Sequence, residues 1–149
     1  MADAAAQTGK APWHLWVVGV IAVLWNAVGV VDFTLTQLGN EAYLKDFTAE
    51  QLAYFKSFSP WAVIAWGAGV YGGFIGSILL LARRGLAVPV FLVSILGVIL
   101  TSLYSHVIND GAKVMGGGAG AAIFSAVIFI IAVLLWLYAR GLTRRGVLR

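Results

Sequence analysis

The chain contains no cysteine. That absence excludes disulfides, thiolate metal centres and cysteine nucleophiles together. Charge is also scarce: Asp, Glu, Lys and Arg make up 11% of the 149 residues, against about a quarter in ordinary globular domains. There are two histidines, His14 and His106. No His-x-x-x-His or Glu-x-x-His spacing and no clustered carboxylate pair accompanies them, so no metal ligand is assigned. The glycine run at 116–118 lacks a following Lys-Ser or Lys-Thr pair and is no phosphate loop. The serines have no base beside them in sequence. No catalytic residue is assigned, and the expectation is a protein that is not an enzyme.

Apolar side chains fill the space left by these absences. Hydrophobic residues reach 61%, more than a soluble fold of this size could hide, because small domains leave much of their surface exposed. Four runs at 13–31, 61–82, 88–108 and 119–139 lack Lys, Arg, Asp and Glu, and each approaches the ~20 residues that a helix needs to cross a bilayer. Backbone groups in lipid must be satisfied within a helix or a closed barrel. Continuous apolarity without period-two alternation selects helices. The expected fold is therefore all-α: a single integral membrane four-helix bundle spanning 1–149, with short polar tails at 1–11 and 140–149. The first run reads as a retained helix, since only Lys10 precedes it and no small-x-small cleavage site follows.

Local signals set the boundaries. Ser59-Pro60 opens the second span, with serine as cap and proline at the first position, and Arg83-Arg84-Gly85 closes it. Pro89 falls in the first turn of the third span. Asn109-Asp110-Gly111 ends the third span, and Met115 with the glycines at 116–118 leads flexibly into the fourth. In the first long loop, Thr48 and Gln51 have capping-box spacing, while Phe47 and Leu52 match the hydrophobic staple. A short interfacial helix is expected at about 48–57.

Basic residues orient the bundle. With the N-terminus inside, Lys10, Arg83, Arg84, Arg140, Arg144, Arg145 and Arg149 are cytoplasmic, whereas Lys45, Lys56 and Lys113 are outside. This asymmetry predicts both termini in the cytoplasm of an inner-membrane, multi-pass protein. The net charge of +4 follows from those flanking residues and does not imply nucleic acid.

Three residue groups carry the site expectations. Ala65, Gly69 and Gly73 are spaced by four, as are Ala68, Gly72 and Gly76. Together they make a smooth strip for close helix approach, either within the chain or toward a partner or second copy. Ser94, Thr101 and Ser105, with Gly97, share a face of the third span, where hydroxyls bond a neighbouring helix or their own backbone, or else line a polar pathway. Asn26 and Asp32 in the first span lie level with Tyr104, His106 and Asp110, which predicts a polar cluster near the outer face in which Asp32 favours charged His106.

The segments Leu24-Trp25-Asn26-Ala27-Val28-Gly29 through Asp32, Tyr43-Leu44, Phe58-Ser59-Pro60-Trp61-Ala62 and Gly69-Val70-Tyr71-Gly72-Gly73-Phe74-Ile75-Gly76-Ser77 resemble a group of small proteobacterial inner-membrane proteins. That group is often labelled as sugar transporters. The resemblance covers about 13–106 and implies a small oligomeric transporter of a polar solute such as a sugar; it supplies no binding residues, and in this sequence Trp66, Tyr71 and Asn26 are the candidate contacts. The glycine strip and aromatic content point instead to an accessory or scaffold subunit of a larger inner-membrane complex. A lipid- or hydrophobic-cofactor-binding protein is the further alternative. Membrane lipids are the expected surroundings. No cofactor is identified, because a pigment, quinone or lipid can lie against aromatic helices without leaving a motif.

Overall fold

A computed structural model describes residues 9–116 and 119–149. Of the described residues 80% are helical, and none forms a strand. The helices are α1 (Trp13–Gln37), α2 (Glu41–Leu44), α3 (Ala49–Lys56), α4 (Pro60–Leu81), α5 (Ala87–Leu103), α6 (Gly111–Val114) and α7 (Ala119–Arg144), and α5 continues into a π-helical turn (Tyr104–Ile108). Four segments, α1, α4, α5 with its π turn, and α7, are long and apolar enough to cross a membrane. They suggest a multi-pass membrane helical bundle.

Two spans run further than their apolar stretches. α1 continues past Val31 to Gln37, so Asp32 lies inside the helix and not at its end. The stop comes at Gly39, which adopts φ +65°. The amide of Asn40 then bonds Leu35 O at 3.0 Å, closing a Schellman motif. α7 likewise continues past Ala139 to Arg144, and Gly146 (φ +68°) places the Val147 amide 3.0 Å from Leu142 O. The segment after it is no free polar tail. Val147 and Leu148 are buried, and Arg149 exchanges backbone bonds with Arg83 and Gly85. Gly117 and Gly118 of the glycine lead and residues 1–8 lie outside the described residues.

Ser59 occupies the cap position of α4, but its hydroxyl makes no cap bond. Instead its amide donates to Tyr104 Oη at 3.2 Å. Thr48 and Gln51 form the reciprocal capping box of α3.

The α4–α5 pair is the centre of the bundle. A Cβ on Gly97 would lie 2.4 Å from Gly69 N and 2.6 Å from Ala65 O, and one on Gly72 would sit 3.1 Å from the Ser94 backbone. Gly76 faces the Phe91 ring in the same way. The strip of α4 is thus covered by α5, with Gly73 turned toward Asn26 of α1; Ala68 is half-buried beside it. α1 packs on α4 and α7 packs on α5, giving the order α1, α4, α5, α7. The outer two helices meet at the end where α1 begins and α7 ends. There Leu15, Leu80, Phe91, Leu135, Ala139, Leu142 and Leu148 form one buried cluster, and His14 Nδ1 lies 2.5 Å from Tyr138 Oη.

The backbone contact at Gly97 makes a sharp prediction. Gly97→Ala drives a methyl into the α4 backbone and should cost about 1–3 kcal/mol, seen as a lower thermal midpoint by circular dichroism in detergent. Gly120→Ala, whose added Cβ meets nothing within 4 Å, should leave the midpoint unchanged or raised.

Candidate functional site

The helices converge at the terminal end and leave a cleft of about 600 Å³ toward the other. All four long helices line it: Val28 and Asp32 from α1, Gly69 and Gly73 from α4, Ser94 and Thr101 from α5, and Ile128 and Leu135 from α7. Phe91 and Leu135 belong to both the lining and the buried cluster, so they form its floor. Tyr43 of α2, Phe47 of the α2–α3 connection and Phe55 of α3 close the opposite end. This size and largely apolar lining are those of small-molecule sites.

The α2–α3 hairpin is held over the cleft by rings. Tyr43 and Phe47 have centroids 5.8 Å apart, Phe47 and Phe55 5.8 Å, and Phe55 stacks on Trp66 of α4 at 5.9 Å. Phe33 meets Trp66 edge-on at 4.9 Å, and Phe58 bridges to Tyr104 at 5.0 Å. Asn40 accepts from the Tyr43 amide and so folds α2 back directly after α1. That turn brings the Tyr43 hydroxyl to Asp32, to which it donates a hydrogen bond. The bond to Asp32, then burial and the carboxylate charge, push the Tyr43 phenol up to about 12. Burial also raises Tyr54, partly offset by a hydrogen bond with Ser105.

The expected outer cluster does not assemble as one unit. Asp32 is taken by Tyr43, whereas His106 turns back to Ser102 O of its own helix at 2.9 Å and lines a separate, more open groove between α5 and α7. Asp110 adopts φ 47° and pairs with exposed Lys113 at 3.4 Å. Tyr104 donates to Ser57 O and accepts from the Ser59 amide, fixing the hairpin to the π turn. Asn26 sits deeper, where it donates to Ala22 O at 2.8 Å and to Ser77 Oγ of α4 at 3.2 Å. The physical reason is local: each polar group finds a backbone or side-chain partner within one helical turn or on the nearest helix, so none has to span the bundle.

The α5 row is divided in the same manner. Ser94 donates to Gly69 O at 2.6 Å across the α4–α5 contact, and Thr101 donates to Gly97 O on its own helix at 2.8 Å. Both, with Ser105, still line the cleft. Among the sugar-contact candidates, Trp66 and Asn26 reach the cleft, while Tyr71 bonds Thr34 elsewhere. The lining residues that sequence pattern left out are chiefly Tyr43, Phe47, Phe55 and the α7 face. Tyr43 had a signal in the Asn40 cap three residues before it.

Among the described residues, no group of three His, Cys, Asp or Glu side chains could hold a metal ion. The arrangement suits reversible binding: a largely apolar, partly open volume, with the Ser94 and Thr101 hydroxyls engaged by backbone carbonyls and one carboxylate near its mouth. Comparison with family models, curated proteins and solved structures returns no match for this chain.

The Tyr43–Asp32 bond is open to direct titration. The phenol is held neutral in the folded state, so its stabilising contribution is complete below pH 10 and is lost as pH rises through about 12. A difference titration of tyrosinate absorbance should show one group near pH 12 that Tyr43→Phe removes and Asp32→Asn shifts down toward 10. An unchanged curve in Asp32→Asn would detach the shift from this contact.

Proposed function

We propose that this protein binds an amphipathic small molecule inside the membrane, within the cleft between α1 and α7. The observation that carries this reading is the cleft itself: about 600 Å³, lined by all four long helices, largely apolar, with its one carboxylate, Asp32, toward the hairpin end. An apolar body lies along Val28, Val98, Ile128 and Leu135, and a polar head reaches Asp32. Of the functions weighed from sequence, a lipid- or hydrophobic-ligand-binding protein is best supported. Movement of a small solute would use the same cleft, with Trp66 and Asn26 on its wall.

An accessory subunit drew its support from the glycine strip, the aromatic content and the absence of buried charge. With Gly69, Gly72, Gly73 and Gly76 covered by α5 and α1, the strip's share of that support passes to intrachain packing. We therefore place ligand binding first.

The orientation proposed is both termini in the cytoplasm of an inner membrane, with the α2–α3 hairpin in the outer interface. It rests on the seven basic residues at the terminal end against three beyond the hairpin side. The lack of native cysteine makes this simple to test. Lys56→Cys should react with an impermeant maleimide in intact cells, and Arg84→Cys only after permeabilisation. The reverse pattern would overturn the orientation.

Native mass spectrometry after extraction in mild detergent tests the binding itself. Wild type should retain an amphipathic molecule that Ala132→Trp, which fills the cleft from α7, loses while remaining folded. Gly29→Leu, where an added Cβ touches only Val70 at 3.7 Å or more, should act likewise from α1. Full retention of the molecule by both variants would place it outside the cleft.

A further inference from the structure

We infer that the head of the ligand is an organic cation of the ammonium or phosphonium class, a conclusion that rests on the cleft reading above. Asp32 is the one residue with a formal negative charge among those lining the cleft, and no Lys, Arg or His lines it. Among the described residues, the sole ion pair is the exposed Lys113–Asp110 pair outside the cleft. The Tyr43 hydroxyl holds one carboxylate oxygen in place but leaves the negative charge uncompensated. A carboxylate beside a low-dielectric cavity is costly without a counter-charge and attracts one more strongly than it would in water.

The rings around it favour the same partner. Tyr43, Phe47, Phe55 and Trp66 form a continuous aromatic run from Asp32 onto α4. Aromatic faces carry negative electrostatic potential and bind diffuse cations. The cation over a ring among the described residues is Arg140 on Trp136, at 5.3 Å in α7 near the other end, so this run is not occupied from within. The apolar walls below, from Val28 to Leu135, exclude small hydrated ions and suit a cation bearing a hydrophobic body. Anionic head groups would meet both the carboxylate and the ring faces unfavourably.

A purely structural role for Asp32, stapling the α2–α3 hairpin to α1, predicts a different mutational pattern. Asn at position 32 keeps an oxygen to accept from Tyr43 and loses only the charge. Tyr43→Phe loses the staple and keeps the charge.

The test uses purified full-length protein in dodecyl maltoside and radiolabelled tetraphenylphosphonium in a scintillation proximity assay, with tetraphenylborate as a competitor of the same shape and opposite charge. Wild type should bind the phosphonium. Asp32→Asn should weaken binding by about tenfold or more, Tyr43→Phe by less, and Asp32→Glu should restore most of it. Tetraphenylborate should displace the label at least about tenfold less effectively than unlabelled phosphonium. Equal binding by folded Asp32→Asn, or equal displacement by the borate, would overturn the inference. If wild type binds no phosphonium yet retains an amphiphile that Ala132→Trp loses, the cationic head is wrong and the cleft reading stands. If neither is seen, both fall.

Discussion

The contact between Gly97 of α5 and the Gly69 backbone of α4 is the constraint on which the rest of the bundle depends. Lipid supplies no hydrophobic push between helices, so they associate through close packing and interhelical hydrogen bonds. With no side chain at either position, the two backbones approach until Ser94 can donate to Gly69 O. That closeness turns α4 and α5 into one rigid wall. α1 and α7 lean on its two edges, held to each other where the chain ends meet.

The cleft is a consequence of that asymmetry. At the terminal end, Leu15, Phe91, Leu135, Ala139 and the returning Val147 and Leu148 fill the space between the outer helices. Toward the hairpin end the wall continues, and a cavity remains between it, α1 and α7. The α2–α3 hairpin covers it through rings and through the Tyr43–Asp32 bond, not through a continuous apolar core. Further bonds from Tyr104 and Asn109 to Ser57 and Ser59 tie the hairpin to the end of α5.

Polar groups inside the bundle follow one economy. Asn26 bridges to Ser77 and to its own helix, Ser94 reaches the neighbouring helix, and Thr101 returns to its own backbone. Each lowers the cost of a polar atom in an apolar medium, and each is thereby removed from duty as a free donor. Asp32 differs because its hydroxyl partner holds one carboxylate oxygen without neutralising the charge. This single imbalance gives the cleft a direction, apolar at one end and negative at the other.

The all-helical fold, the four long apolar segments and the capping box of α3 were legible in the sequence because they depend on local periodicity and neighbours within one turn. The glycine strip was legible as a packing surface, but its partner was not, since an identical strip can face another helix of the chain or another protein. Apolarity ended α1 and α7 too early: Asp32 and Arg140 interrupt hydropathy without breaking a helix, and the stops come from the left-handed glycines Gly39 and Gly146. Level placement along the bilayer grouped Asp32 with His106, whereas rotation about the helix axes decides which side chains meet. That rotation is set by the α4–α5 contact and by the fold-back at Asn40, both sums of many distant contacts. The sequence by itself thus determined what lies in the helices and how long they can be; only the tertiary structure decided that Asp32 meets Tyr43 at the mouth of a cleft.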